Sequence, residues 1–503
     1  MTARPPAERD STGSLNVDVL VIGGGGAGLA AAVSAAELGG RVVLVEKNRY
    51  LGGTTGMSVG SISASRTRLQ RRAGIEDDLG AHFEDLGAFA GDLVPFDNLE
   101  LRRVYVENSG PTLEWLVDKG VVFFGPMPEP PNSRPRMHNV LPSSRAYISV
   151  MSRAARRLGV QFMLRTSASE MLIEEGVIAG AVCTTEDGGR VTVRASKGVI
   201  LAGGDFSANR QLKASYISDA VEDVDAINRT STGDGLMLGI SVGAVVRNGH
   251  IATGPQLRFI MPPHRPLLQR LPPWRALALV MAAAVRVIPD RLLRPAVMAF
   301  ATSYLAPTPE IFAKGAILVN NRGERFTDEK KTPWLDVPAQ PNGEAFIILG
   351  GGLRAQLTKW PDFISTAPGV AYAYIDDYRR SRKDIFHESA DIPGLAALIK
   401  VPPDALYRSI TAARSDTPGP FVGLGPVKSW IVTTEGGLAV DQHMRVLNDE
   451  GNLIEGLFAA GSNGQGGVLL EGHGNHVGWA FVSGRLAGKA AMTSRPRTER
   501  DTA

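Results

Sequence analysis

Near the end of the chain, Glu471-Gly472-His473-Gly474-Asn475-His476 sets three titratable side chains within six residues, among glycines and just ahead of an apolar helical pattern. A carboxylate and an imidazole in such a loop suit proton transfer at carbon, with Glu471 or His473 as the base that removes a proton next to a carbonyl. The pattern predicts a helix from near Asn475 to about Met492, whose N-terminus carries positive partial charge where negative charge can develop. The same side chains also suit two plainer roles, contact with a cofactor or capping of that helix.

A second arrangement, at the other end of the chain, defines what stands beside that loop. Val17 to Ile22 is β-branched and apolar, the composition of a buried parallel strand. It runs into Gly23-Gly24-Gly25-Gly26-Ala27-Gly28, then a helix-like stretch, then an apolar strand from Arg41 to Val45 that ends at Glu46. Gly23, Gly25 and Gly28 fit the G-x-G-x-x-G fingerprint of dinucleotide binding. Gly23 allows the tight turn, Gly25 lets backbone approach a pyrophosphate, and Gly28 lets the helix pack on the strand. Gly26 and Ala27 open the helix, whose free N–H groups favour a phosphate. Glu46, followed by Lys47, lies at the spacing expected of a group that grips a ribose hydroxyl.

FAD, rather than a nicotinamide nucleotide, is expected from two further segments. Gly52-Gly53-Thr54-Thr55-Gly56-Met57-Ser58 supplies small and hydroxyl residues that can line a long cofactor. Val199-Ile200-Leu201 is another buried strand that ends at Ala202-Gly203-Gly204, where backbone can come close to the same cofactor. No second glycine fingerprint occurs, so no dedicated NAD(P)H site is expected, and electrons leave to an external acceptor or oxygen.

The composition is that of a folded soluble enzyme. Of 503 residues, 44% are hydrophobic and 21% charged, which supplies a sizeable core. A net charge of +3 gives no footprint for nucleic acid. Cys183 is the only cysteine, so an intramolecular disulfide and a cysteine-based metal site are both excluded. The first 16 residues lack a signal-peptide core and read as a disordered leader; the last eleven read as a solvated tail, and a cytoplasmic location is expected.

The order of these segments, with GDGLMLGISVGA, AILVNNRGERFTDE and EGLFAAGSNGQGG, resembles the fumarate reductase/succinate dehydrogenase flavoprotein superfamily, over roughly residues 15 to 492. The resemblance implies an α/β fold: a Rossmann-like FAD-binding domain in two segments, 14–248 and 434–496, with an α+β cap domain at 249–433 inserted between them. It also extends the cofactor contacts to Asn209, Asp234, Gly461, Ser462, Asn475, His476 and Val477. The histidine that binds flavin covalently in the family is missing from the GGTTG segment, so FAD is expected to be non-covalent.

The family's catalytic positions are altered. Fumarate reductases carry an arginine proton donor, a histidine and a substrate-binding arginine where this chain has Pro333, Thr433 and Glu471. Exchanging positive groups for a negative one argues against a dicarboxylate substrate. The 3-ketosteroid dehydrogenase pattern fits better: its P-Y-x-D run resembles Pro333-Trp334-Leu335-Asp336, and its carbonyl-binding glycine N–H falls near Gly474. The family's nearby tyrosine, however, is Leu470 here, and an indole N–H donates but cannot act as a base. Arg258 lies close to where the family places substrate contacts, and otherwise suits a salt bridge on the cap surface. The resemblance therefore implies a dehydrogenase that introduces a C=C bond next to the carbonyl of a hydrophobic, steroid-like or cyclic ketone. The alternatives are an ene-reductase fed by an external donor and a non-catalytic flavin-bearing module.

One cap segment stands apart. Ala276 to Val285 is ten apolar residues in a row, bracketed by Pro272-Pro273 and Pro289, and too short to span a bilayer. Arg275 and Arg286 fall on one face of the predicted helix. Peripheral membrane contact through 272–294 is one reading; packing within the cap, or at a homo-oligomer interface, is the more common arrangement.

Overall fold

The computed structural model describes residues 8–9, 14–264, 266–413 and 419–493. At its centre the strand Leu15–Ile22 pairs in parallel with Val42–Glu46 on one side and with Arg190–Leu201 on the other. Gln161–Leu164 extends the sheet beyond the first neighbour and Leu453–Ala459 beyond the second. Buried on both faces, Val19–Ile22, Val42–Val45 and Val199–Leu201 are runs of Val, Leu and Ile, which alternating polar residues would not permit. Register places Ile22 beside Leu201 and Leu201 beside Ala459. Three strands therefore end level, and each passes at that edge into glycine-rich backbone. Ligands bind parallel sheets beyond such carboxyl ends.

Two helices brace this edge. Gly26–Glu37 starts directly after the opening strand, and Asn475–Thr493 packs along it. Their axes approach closely because glycine sits at the crossing. A Cβ on Gly484 would lie 2.2 Å from the Ala27 carbonyl oxygen, and one on Gly488 2.3 Å from that of Ala31.

A second sheet of six strands forms the cap. Phe421–Ile431 is its hub and pairs with Gln256–Phe259, Ala345–Leu349 and Phe386–Ser389, while Ile317–Asn320 lies outside Ala345–Leu349. Leu318, Ile347, Leu349, Val422 and Leu424 form its own core. Asp225–Ala226, well ahead of residue 249, also pairs with Phe421–Ile431, so the cap sheet recruits a strand from the preceding segment. A small sheet of Ser61–Ser63, Val122–Met127 and Met137–Leu141 lies on the cofactor-binding side.

The apolar cap segment folds as two helices, Arg275–Val287 and Asp290–Ala301. No helix among the described residues is long and apolar enough to cross a membrane. The leader expected to be disordered is in part ordered, because Glu8–Arg9 pairs with Leu15–Asn16 and extends the central sheet. The remainder of the leader to residue 13, and the tail from residue 494, lie outside the described residues.

Candidate functional site

The level strand ends open onto a cleft of about 860 Å³, walled by Gly23 to Ala27, Glu46 to Asn48, Gly53 to Thr55, Ala202 to Gly204, Asp234 and Gly461–Ser462. The turn geometry requires glycine. Gly23 has φ +110, and a Cβ there would meet the Ala202 carbonyl oxygen at 2.3 Å. A Cβ on Gly28 would lie 1.8 Å from the Gly23 carbonyl oxygen, so any side chain would push the helix off the strand. At Gly25 the opposite holds: nothing stands within 4 Å of a Cβ, and the backbone faces open cleft. A glycine with space in front of it fits a phosphate brought close to the main chain.

Polar side chains fix the walls. The Glu46 carboxylate accepts the Gly24 N–H at 2.7 Å and both the backbone and side-chain N–H of Asn48 at 2.8 Å. Lys47 donates to Thr232 at 2.5 Å and pairs with Asp234 at 2.7 Å. Asp234 opens the helix Asp234–Ile240 and ties the third glycine segment to the first. Thr55 accepts the Gly26 N–H at 3.2 Å. No histidine, cysteine or tyrosine is among the residues lining the cleft.

The last helix carries the cleft toward the titratable loop. Ala480 lines the cleft and Asn475 starts the helix, so the two are about 7.5 Å apart along its axis. In that loop each histidine has a buried acid. His473 donates its backbone N–H to Glu129 at 2.8 Å and bonds the same oxygen through Nδ1 at 2.5 Å. His476 Nε2 meets Glu435 at 2.7 Å, and the other oxygen of Glu435 accepts from Gln465. Glu129 and Glu435 are almost fully buried. Asp205, just after the Gly203–Gly204 turn, accepts from the Thr433 hydroxyl at 2.8 Å, tying the strand Thr433–Thr434, which leads into Glu435, to the central sheet.

These neighbours shift the proton affinities. Burial raises the pKa of Glu471, the charge of Glu435 raises it further, and His476 only partly offsets this. Burial opposes charge on His476, but Glu435, Glu471 and Asp205 outweigh it, so its pKa is raised. Among the described residues, three buried polar atoms here lack a hydrogen-bond partner: Glu129 Oε2, Gln465 Oε1 and Asn463 Nδ2. Buried polar atoms are seldom left unmatched; Glu129 and Gln465 belong to the partners of this loop, whereas Asn463 stands beside Gly203 and Gly235 at the cleft.

The residues singled out from sequence separate into two sets. Gly23, Gly25, Gly26, Ala27, Glu46, Lys47, Gly53, Thr54, Thr55, Ala202, Gly203, Gly204, Asp234, Gly461 and Ser462 all line the cleft. The others have structural neighbours instead. Asn209 caps the helix Arg210–Tyr216. Asn475 is buried and donates to the Glu471 carbonyl at 2.5 Å. Gly52 donates its N–H to the Gly24 carbonyl, Gly56 accepts from the Ser144 hydroxyl, and Ser58 bonds the Thr55 carbonyl. Met57 is exposed, and Val477 packs against the main core. Gly474 has φ +93, and a Cβ there would meet the backbone of Ile62–Ser63 at 2.7 to 2.8 Å, so that strand already explains the glycine.

Trp334 packs against the cap core. Arg258 makes no surface salt bridge. Its guanidinium is half-buried in the cap and donates to the Tyr304 carbonyl at 2.7 Å, and desolvation lowers its pKa to about 10. Glu129, Glu435, Gln465 and Asp205 were not anticipated. The signal for Glu129 was a lone acid inside a proline run, Pro128-Glu129-Pro130-Pro131, and that for Glu435 an acid immediately before Gly436-Gly437.

Flavoproteins that bind FAD beyond the carboxyl ends of a parallel sheet are the class that this fold and cleft fit. The chain belongs to the FAD binding domain family, whose model matches residues 18–469, and FAD is its cofactor. It is 27% identical over 490 residues to an NADH:fumarate oxidoreductase of Klebsiella pneumoniae, covering 94% of this chain and 47% of that protein. It thus spans about half the length of that relative, and likewise of an NADH:acrylate oxidoreductase of Vibrio harveyi. A 3-oxosteroid 1-dehydrogenase of Mycolicibacterium smegmatis is 24% identical over 567 residues, covering 93% of this chain and 96% of that one. In fold the chain is similar to the open form of a flavocytochrome c3 fumarate reductase, with a TM-score of 0.71, 22% identity, and coverage of 95% and 78% of the two chains.

Proposed function

We propose that this chain oxidises a carbon–carbon single bond next to a carbonyl in an uncharged, hydrophobic substrate, with Glu471 exchanging the proton. The observation that carries this reading is the raised proton affinity of Glu471 in a loop walled by two further buried acids. A carboxylate of raised proton affinity takes a proton from an acidified carbon more readily than an ordinary one. The acids also select against dianions, because the positive groups of dicarboxylate reductases are here Pro333, Thr433 and Glu471.

The atoms balance as follows. The carbon next to the carbonyl loses its proton to Glu471, and the neighbouring carbon loses hydrogen with its electron pair. FAD, held non-covalently by the Gly23–Ala27 turn, Glu46 and the Ala202–Gly204 backbone, would supply the acceptor for that hydride, and an external acceptor would take up the electrons. The N–H of Gly474 is our candidate for holding the carbonyl oxygen. Glu435 and His476 act through Glu471, setting its proton affinity, and Glu129 positions His473. Arg258 and Trp334 lie in the cap packing and take no step.

The raised pKa of Glu471 equally suits the reverse role, protonation of a C=C bond during its reduction, and the relatives named as fumarate reductases support that second reading. Anaerobic mixing of the FAD-loaded protein with cyclic ketones distinguishes the two. Bleaching of the oxidised flavin band is expected; if no ketone bleaches it while enones reoxidise a reduced dye through the protein, the reductase reading replaces ours.

A further inference from the structure

The consecutive helices Arg275–Val287 and Asp290–Ala301 are attached to different elements, and each leaves apolar side chains bare. On the attached side Ala278 and Met298 are buried. Arg275–Val287 packs on the strands Val122–Met127 and Met137–Leu141. Arg294 grips Asp377 with two bonds of 2.7 and 2.9 Å. The outer face carries Trp274, Leu279, Val280, Val287, Ile288, Leu292 and Val297. Val287 is 81% exposed, Trp274 66% and Leu292 65%.

These seven lie within 24 residues yet make up a third of the 21 large hydrophobic side chains exposed among the described residues, so the patch is concentrated rather than scattered. The expectation that this segment packs within the cap fails on that side.

Charge identifies what meets the patch. From residue 258 to 309 the sequence holds seven arginines and a single acid, Asp290, in a chain whose total is only +3, so the rest of the molecule is net negative. Arg275, Arg286 and Arg291 are exposed beside the apolar residues, and none pairs with a carboxylate among the described side chains. A protein partner or second copy would have to match this local excess with acids, which the segment's own face cannot supply to its twin. An apolar stripe flanked by exposed arginines matches acyl chains beneath phosphate headgroups, with each arginine stem lying along the apolar surface and its head reaching the phosphate.

We propose that this pair of helices rests on the surface of a bilayer containing anionic phospholipid. The strand Val122–Met127 beneath it leads within two residues to Glu129, which holds His473. The membrane contact and the titratable loop therefore share one structural support, a placement that suits a substrate dissolved in lipid. The contact itself does not depend on which reaction the chain performs.

The test is flotation of the full-length, FAD-loaded protein with vesicles of phosphatidylcholine alone or mixed with phosphatidylglycerol. The protein is expected to float with the mixed vesicles and to release as salt rises. Neutralising Arg275, Arg286 and Arg291 to Gln is expected to lower partitioning about fivefold per residue. The combination Val280→Asp, Val287→Asp and Leu292→Asp is expected to abolish flotation, with bound flavin as the check on folding. The proposal is overturned if the wild type fails to float with phosphatidylglycerol, or if both sets of variants float as it does. It is also overturned if sedimentation shows a stable dimer that the Asp variants dissociate, which would make the face a subunit interface.

Discussion

The cofactor cleft and the Glu471–His476 loop stand at neighbouring ends of the last helix but are built in opposite ways. The cleft is made largely of backbone. Its glycines are adjacent in sequence, its strands end level, and its few side chains hold main-chain groups in place. The loop is made of side chains whose partners come from Glu129, Asp205, Glu435 and Gln465, up to 344 residues away. Backbone binding of a phosphate tolerates few changes and reads the same in many proteins. A cluster of acids and imidazoles can be retuned by replacing one partner, so the chemistry can diverge here while the cofactor site stays fixed.

The sharpest way to break this contrast is at the glycines. Gly28→Val forces a side chain into the Gly23 carbonyl, and the protein is expected to lose both bound flavin and its folded baseline. Gly25→Ala has room and an ordinary backbone, with φ −76, so the fold should persist while FAD affinity falls at least about tenfold. Flavin absorbance of the purified protein and its melting temperature check both. Retention of FAD by Gly28→Val would show that the cleft is not backbone-limited.

At the loop the opposite pattern is expected. Glu471→Gln should leave flavin content and melting temperature near wild type but lower turnover by roughly 10² to 10⁴. Glu129→Gln retains the shape and an acceptor for His473, so a smaller loss is expected, about tenfold, with a changed pH profile. Glu129→Ala leaves the two His473 donors unmatched and should destabilise the fold by about 1–3 kcal/mol. Steady-state rates across pH, with thermal melts, separate these outcomes.

The smallest effect is a pH dependence of stability. The folded state holds the His476 proton more tightly than the unfolded chain does. The stabilisation is therefore fully present below about pH 6.5, the unfolded value, and fades as pH rises through the folded value. His476→Gln should flatten that part of the melting profile, and an unchanged slope would show that the Glu435 pair does not hold the proton.

How much was legible in sequence follows the same division. The glycine turns, the strands that feed them and the last helix were readable because local rules fix them: φ, close approach, and apolar runs buried on both faces. The helix predicted to start near Asn475 does so at that residue. Asn209 and Asn475 show a limit of that reading, because an asparagine at a helix start suits a cofactor or a cap equally well, and here their bonds are to a helix N–H and to the Glu471 carbonyl. Arg258 was expected to suit a surface salt bridge because the sequence does not state burial.

By itself, then, the sequence determined the cofactor class, the glycine turns with the strands that feed them, and the start of the last helix. Tertiary structure decided which acids face which histidines, that the half-buried Arg258 donates to a carbonyl, and that the two arginine-bearing cap helices keep exposed apolar side chains. The physical reason is range. Turn geometry and hydrophobic period act over a few residues, whereas proton affinity and exposure depend on whatever the fold brings within a few ångströms.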